Sequence, residues 1–283
     1  VSIGTSAPEL MVGVDAVLKG SPTLALGNVV GSNIANSLLV VGLPAMIAPM
    51  TCNAPRLGRN MLMMLVASAI FIVFGLDGSY GWTNGVILLG MLAMFLVYSG
   101  LRAQRCPSQI ENFDEIAEIE ANPISTPKSW AMVAGGIAGL AIGADLLVLG
   151  SIELARSYGI SEALIGLTFI ALGTSLPGLV PSIVDAVRGH CDVAVGNVIG
   201  SNIFNVLGIM GVSSLVGDIP VPDSFMRIDL WVMLGAAFLL VPFIRLRSQI
   251  GKLSGLIMVA LYVGYIVHLA HSAERAAAMG MPV

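Results

Sequence analysis

Two short motifs in this chain place oxygen-bearing side chains at spacings that suit cation binding. The first, GTSAPEL, contains Thr5, Ser6 and Glu9 around Pro8. Thr5 and Glu9 are four residues apart, so they share one face of a helix. Hydroxyl, carboxylate and carbonyl oxygens are the ligands that a hard cation takes when it loses its water. This motif therefore predicts a metal-cation site.

Pro8 strengthens that interpretation because it breaks the helix beside these side chains. Proline has no N–H, and its ring clashes with the carbonyl four residues earlier, which belongs to Gly4. At membrane depth, such a freed carbonyl is tolerated only where it lines a cavity or finds a partner. A carboxylate inside a membrane is costly and usually functional. The alternative is that Glu9 lies near a helix end and reaches the interface.

The second motif, GNVVGSNIAN, supplies a further pair of oxygens. Ser32 and Asn36 are four residues apart and present both oxygens on one helix face. Gly27 and Gly31 form a GxxxG spacing, which lets another helix approach closely, so we expect these glycines to serve packing. We expect the asparagines of the motif and of its repeat to cap or cross-link helices: Asn28, Asn33, Asn197 and Asn202.

Both motifs occur twice. Aligned without gaps at an offset of 169, residues 4–42 and 173–211 are identical at 17 of 39 positions, including GTSxP and GNVxGSNI in the same register. Such a match indicates an internal repeat rather than shared membrane composition. The second copy supplies the equivalent side chains, which are Thr174, Ser175, Ser201 and Asn205.

The composition indicates that helices in a membrane position these motifs. Apolar residues make up 56% of the 283-residue chain and charged residues 11%, with a mean hydropathy of +0.91. Soluble domains contain about 25% charged residues. Long uncharged stretches reach the roughly 20 residues that one bilayer crossing needs. Nine spans are predicted on this basis, at 1–18, 24–48, 59–76, 82–101, 129–155, 160–187, 192–217, 229–245 and 253–270.

The number of spans sets the relative direction of the two repeats. An odd step separates the two GTS-bearing spans, so the second repeat runs in the opposite direction, as in many secondary transporters. Nine Lys and Arg residues lie on one side and four on the other, which places the first group in the cytoplasm. We therefore expect a multi-pass protein of the cell membrane (plasma or inner membrane), with loop 102–128 in the cytoplasm and the C-terminus outside.

The predicted fold is an all-α polytopic membrane protein with two inverted-topology repeats. Residues 1–101 form the first half, 102–128 an acidic cytoplasmic linker, and 129–283 the second half. A complete span precedes GTS only in the second half. If the halves are equivalent, about 40 residues carrying one more helix precede Val1, so nine spans of a probable ten are present. The three cysteines form no CxxC pair and predict no redox role.

These doubled motifs resemble the paired alpha repeats of the calcium/cation antiporter superfamily, close to its prokaryotic sodium/calcium exchanger branch. The segment GADLLVLGS at 143–151 also resembles the family's span before the second repeat. The resemblance implies ten helices in two inverted halves and exchange of Ca²⁺ against Na⁺ at a midplane site, with no cofactor besides these transported ions. It implies nine ion-binding residues, of which Glu9, Thr5 and Thr174 are the principal metal ligands: Thr5, Ser6, Glu9, Ser32, Asn36, Thr174, Ser175, Ser201 and Asn205.

One departure from the family pattern affects the expected charge of this site. The family has a glutamate after the proline in both repeats, whereas here Glu9 is matched by Gly178, and both Asn36 and Asn205 are amides. Divalent affinity rises with ligand charge. Two other acids, Asp185 and Asp145, are candidates to compensate, although each is alternatively a loop-proximal or packing-paired acid.

Three functions remain open from the sequence. The first is Na⁺/Ca²⁺ antiport, and the second is antiport or leak of a monovalent cation or proton with Glu9 as carrier. The third is an inactive homologue that acts as a membrane scaffold. An enzyme is not expected, because His190, His268 and His271 form no ligand spacing and no Ser/His or Cys/His arrangement is evident. The expected partners are inorganic cations and the lipid bilayer, with no nucleic acid, and the sequence leaves the oligomeric state open.

Overall fold

The first half of the computed structural model consists of helices that alternate with short turns. The structure describes residues 2–51, 55–105 and 126–278, so most of the predicted acidic linker and the residues Cys52 and Cys106 lie outside the described part. A π-helical turn over Asn36–Val40 joins the third and fourth helices. The helices are α1 Ser2–Thr5, α2 Ala7–Leu18, α3 Pro22–Ala35, α4 Val41–Ile47, α5 Pro55–Gly75 and α6 Trp82–Arg105.

The second half repeats this order after one additional long helix. Its π-helical turns span Gly166–Ile170, Asn205–Ile209 and Phe225–Asp229. The turn at Asn205 lies 169 residues after the one at Asn36, so the repeat extends to this unusual backbone. The helices are α7 Thr126–Tyr158, α8 Glu162–Ile165, α9 Ala171–Val187, α10 Cys191–Phe204, α11 Met210–Val216, α12 Leu230–Leu239, α13 Val241–Arg245 and α14 Lys252–Ala278.

Eight helical stretches of the described chain are long and apolar enough to cross a membrane. The first predicted span is different, because it consists of the two short helices α1 and α2. Ser6 separates them, and Pro8 lies in the first turn of α2. Proline is favoured at a helix start, where its missing N–H has no partner to lose. The protein is thus an all-α polytopic membrane protein.

Two stretches, each a repeat helix with its π turn, form the centre of the bundle. In Pro22–Ile47 and in Cys191–Val216, 78% of the most apolar 18-residue segment is buried inside the protein. The corresponding share in α7 is 11%. Both central stretches carry a GNVxGSNI motif in the helix and continue through the π turn. Since the surrounding helices pack against them, the side chains of the motifs lie in the interior of the bundle.

Four two-residue strands form two small antiparallel ribbons, which the sequence did not predict. Strand β1, Met50–Thr51, pairs with β4, Gln249–Ile250. Strand β2, Ser79–Tyr80, pairs with β3, Ile219–Pro220. Each ribbon joins a strand of the first half to a strand of the second. The 169-residue offset relates β1 to β3, so the two ribbons are equivalent under the repeat.

Candidate cation site

The nine residues implied as ligands lie on five helices, two π turns and the junction between α1 and α2, and eight of them are buried. Thr5 is half-buried at the end of α1, and Glu9 lies in the first turn of α2. We call these nine residues the central site. The other seven are distributed over α3, α9, α10, the two π turns and the α1–α2 junction: Ser6, Ser32, Asn36, Thr174, Ser175, Ser201 and Asn205.

Two hydroxyl pairs join the halves at the central site. The Oγ1 of Thr5 lies 3.3 Å from the Oγ of Ser201. The Oγ of Ser32 lies 3.4 Å from the Oγ1 of Thr174. The two pairs are equivalent under the repeat, because Thr174 lies 169 positions after Thr5 and Ser201 lies 169 positions after Ser32. The structure therefore brings the threonine of each GTS motif to the serine of the opposite GNVxGSNI motif.

Asn28 fixes the relative positions of the two proline-containing motifs. Its Nδ2 donates to the main-chain carbonyl of Glu9 at 3.2 Å. Its Oδ1 accepts from the hydroxyl of Thr174 at 3.2 Å. Because the side chain is fully buried, these bonds are shielded from water. The sequence predicted that Asn28 caps or cross-links helices but not that it contacts both proline-containing motifs. Its position in the repeated GNVxGSNI motif was the one indication of a special role.

The amides of the π turns form a second layer of cross-links. Asn36 donates to the Oδ1 of Asn202 at 3.2 Å. Asn205 donates to the Oδ1 of Asn33 at 3.1 Å. These two bonds are again equivalent under the repeat. Asn202 also donates to the Oγ of Ser37 at 2.9 Å. This contact has no equivalent in the other repeat, because the position equivalent to Ser37 is Val206.

Three oxygen atoms of the central site are buried without a hydrogen-bond partner. They are Glu9 Oε2, Ser175 Oγ and Asn205 Oδ1. An unpaired buried polar atom costs free energy unless something satisfies it. Carboxylate, hydroxyl and amide oxygens are ligands for Ca²⁺ and, like other oxygen donors, suit a hard cation in general. The donor set thus fits a transported cation as substrate.

The charge at the central site comes from one residue. Glu9 supplies the carboxylate, and within the described part of the chain no group of three or more His, Cys, Asp and Glu residues is arranged to hold a metal. At Gly178, a built Cβ atom would meet nothing within 4 Å. The second-repeat carboxylate is therefore absent although the backbone leaves room for a side chain.

The two candidate compensating acids lie in different surroundings. Asp145 of α7 accepts from the Nζ of Lys19 at 2.5 Å, and Lys19 also pairs with Asp15 at 2.6 Å. Desolvation opposes the charged amine, yet the hydrogen bonds to Asp145 and Asp15 raise the pKa of Lys19 overall. Asp145 thus takes part in an ion pair that ties α7 to α2. Asp185 is half-buried near the end of α9, two turns beyond Gly178.

The first-repeat glycines make the close approach that their spacing predicts. A Cβ atom at Gly27 would lie 2.4 Å from the carbonyl oxygen of Ala163, and one at Gly31 would lie 2.5 Å from that of Leu167. A Cβ atom does not approach a non-bonded carbonyl oxygen so closely, so any larger residue at either position requires the backbone to move. This contact holds α3 against the segment that leads into α9, and it thereby positions Ser32 beside Thr174.

An all-α membrane protein in which two repeats build one internal polar site has the architecture of a secondary transporter. Sequence comparison gives the family. The profile of the family described as sodium/calcium exchanger protein matches residues 1–101 and 128–270. The chain therefore belongs to the sodium/calcium exchanger family, within the calcium/cation antiporter superfamily, as its motifs predicted.

Individual relatives and a solved structure agree with this assignment. The putative antiporter CaxA of Alkalimonas amylolytica is 34% identical over 268 residues, covering 94% of this chain and 84% of the relative. The inner membrane protein YrbG of Escherichia coli is 34% identical over 276 residues, covering 95% and 83%. The structure of the sodium-calcium exchanger NCX_Mj superposes with a TM-score of 0.68 at 33% identity, covering 94% and 83%. Cation antiport across a membrane is thus the function class.

Proposed function

We propose that this protein is a secondary active antiporter that exchanges Na⁺ against Ca²⁺ by alternating access at the central site. The observation that carries the proposal is the pair of equivalent hydroxyl contacts, Thr5 with Ser201 and Ser32 with Thr174. These contacts bring oxygens of both repeats together, and Glu9, four residues after Thr5, supplies a carboxylate whose Oε2 has no hydrogen-bond partner. The structurally similar protein NCX_Mj is a sodium-calcium exchanger, which supports these two ions.

The inverted repeat supplies a physical basis for alternating access. Two halves of similar sequence and opposite direction can adopt each other's conformation, which exposes a shared site first to one side and then to the other. A site placed between the halves stays in position while its surroundings exchange. The cation is held by hydroxyl and amide oxygens on both halves, so its binding energy depends on their mutual arrangement.

One observation favours a second candidate, antiport of a monovalent cation or a proton-coupled antiport. Gly178 replaces the acid that would face Glu9 under the repeat, leaving one carboxylate in the central site. Ca²⁺ sites gain affinity with each charged ligand. A single carboxylate balances the charge of one monovalent ion.

For the orientation in the membrane, we propose that the 102–128 linker lies in the cytoplasm and the C-terminus outside. The excess of Lys and Arg on the linker side supports this arrangement. The cell membrane, plasma or inner, is the proposed location, which agrees with the printed name of the relative YrbG.

The test is ion flux in proteoliposomes that contain the full-length protein. We expect a sodium gradient to drive Ca²⁺ uptake, and Glu9→Gln to abolish it. Cation uptake that does not require sodium and is driven by a potassium or proton gradient would instead support the second candidate, monovalent or proton-coupled antiport. Absence of flux under every gradient, with correctly folded protein, would identify an inactive scaffold and overturn both candidates.

A further inference from the structure

Among the described residues, two carboxylates are buried: Glu9, 2% exposed, and Asp229, 3% exposed. Glu9 belongs to the central site, whereas the proposed function does not use Asp229. Asp229 ends the π turn before α12, inside a predicted span. An ionisable residue within a membrane is costly and is rarely retained without a function. Its surroundings therefore bear on what it binds.

The surroundings of Asp229 suit a proton better than a metal ion. The hydroxyl of Tyr265 on α14 donates to Asp229 Oδ1 at 2.7 Å. His268, one turn further along α14, interacts electrostatically with the carboxylate and is itself exposed. A carboxylate with one phenol and a nearby imidazole lacks the six to eight oxygens that Ca²⁺ requires. Carboxylate and histidine side chains that lie next to one another in space are instead typical of proton relays in transporters.

Two further titratable residues, Tyr262 and Arg227, lie on the same two elements as Tyr265 and Asp229. Tyr262, one turn before Tyr265, is buried, and its hydroxyl has no hydrogen-bond partner. Arg227 lies two residues before Asp229 on the same turn. Helix α3 and the π turn Asn36–Val40, which also pack against α12, contain no titratable residue.

The described charged side chain of helix α5 lies far from Asp229. A Cβ atom at Gly75, the last residue of α5, would lie 3.2 Å from Met226 Sδ, so this end of the helix faces the π turn of Asp229. The described basic side chain of α5, Arg59, is sixteen residues away, roughly 24 Å along the helix. The Arg56 side chain lies outside the described part of the structure.

A short path connects Asp229 to the central site. Met233 is four residues after Asp229 and so lies on the same helix face. The Nδ2 of Asn33 contacts the Sδ of Met233 at 3.7 Å. The Oδ1 of Asn33 accepts from Asn205, a residue of the central site. A change of charge at Asp229 that moves α12 is thereby transmitted to an ion-binding amide.

We propose that Asp229, Tyr265 and His268 form a proton-binding site separate from the central site, and that its protonation changes cation affinity through Met233 and Asn33. On protonation the Asp229 carboxylate becomes a neutral acid. The assignment of a proton site stands on the buried Asp229 and its hydrogen bond from Tyr265, and its effect on cation affinity rests on the proposed function.

The proton site is tested by infrared difference spectroscopy of the purified full-length protein between acid and alkaline pH. We expect a carboxylic acid band that Asp229→Asn removes and that Asp223→Asn, a change at an exposed acid six residues earlier, leaves intact. Tyr265→Phe keeps the ring but removes a donor to the charged form, so the midpoint should move about one unit towards higher pH. A wild-type band unaffected by Asp229→Asn would overturn the proposal and leave the Asp229–Tyr265 bond as a packing contact.

The coupling is tested by cation exchange in proteoliposomes as a function of pH. In wild type we expect the exchange rate to change between acid and alkaline pH. In Asp229→Asn this change should be smaller by about threefold or more, because a titrating group linked to cation binding has been removed. An unchanged pH profile in that variant would overturn the coupling. If wild type carries no cation at any pH, the proposed antiport fails while the infrared measurement still decides whether Asp229 binds a proton.

Discussion

The side chains of Asn33 and Asn202 each donate to the other residue's main-chain carbonyl, at 3.4 and 3.5 Å. The two residues are 169 positions apart and thus occupy equivalent places in the two repeats. Only a two-fold relation between the halves makes such a contact reciprocal. The approximate axis of that relation therefore passes between Asn33 and Asn202, and the central site is arranged around it.

Glu9 is expected to be the side chain on which ion exchange depends most. Glu9→Gln keeps the volume and removes the charge, and it should lower cation affinity by roughly two orders of magnitude, because charge-assisted ligation is lost. Asp145→Asn is the matched control. Its exposed ion pair with Lys19 contributes little energy, so exchange should change by about twofold at most. Flux and Ca²⁺ titration on both variants provide the measurement, and equal losses would contradict the prediction.

The hydroxyl pairs should behave as coupled units. Thr5→Val and Ser201→Ala are each expected to reduce cation affinity by about five- to tenfold, as for one lost hydrogen-bonding group. The double variant should lose less than the product of the two, because contacting residues are not additive. Thr174→Val and Ser32→Ala should give the same pattern. Strict additivity in isothermal titrations of either set would show that the pair does not share an ion.

Gly178→Glu should strengthen divalent binding. The open space at the Gly178 Cβ position allows the side chain, and the offset places it opposite Glu9. We expect the dissociation constant for Ca²⁺ to fall by about tenfold, since an added charged ligand raises affinity. Two close carboxylates raise each other's pKa, so the gain should shrink at acid pH. If wild type already binds Ca²⁺ as tightly as Gly178→Glu, another acid completes the site, and Asp185 is then the residue to substitute.

The glycines of the two repeats should differ in their tolerance of alanine. At Gly27 a Cβ atom would meet a main-chain oxygen at 2.4 Å, whereas at the equivalent Gly196 the nearest atom is Leu57 Cδ2 at 3.5 Å. Gly27→Ala should destabilise the protein by about 1–3 kcal/mol through overpacking. Gly196→Ala should be neutral or slightly stabilising, because alanine favours a helix by up to about 1 kcal/mol. Thermal unfolding in detergent compares them, and similar midpoints would contradict the prediction.

The sequence predicted those features that depend on repetition and hydropathy. The spans follow from uncharged length, and the Gly27 and Gly31 contact follows from GxxxG spacing. The hydroxyl contact of Thr5 with Ser201 joins residues 196 positions apart, and no local pattern fixes which serine a threonine meets. The internal repeat indicated which serines were candidates to contact Thr5, but it did not predict the distances or orientations of the side chains.

Other features were beyond local pattern altogether. The strands β1 to β4 have two residues each, too few for a period-two signal, and they form through pairing with distant chain. Asp229 is not part of a recognisable sequence motif. Its proposed role depends on Tyr265, which lies 36 residues later on another helix. Asn28 was visible in its motif, but its two partners came from different helices.

The pairing of β1 with β4 and of β2 with β3 has a consequence for how the chain is made. A ribosome that has released residues 1–105 has produced two strands whose partners are not yet synthesised. The last of these partners, Gln249–Ile250, is followed by helix α14. Membrane insertion can therefore proceed span by span, but the first half cannot complete its own structure. Its completion waits until Gln249–Ile250 has been synthesised, so assembly of the two halves is a late step of biogenesis.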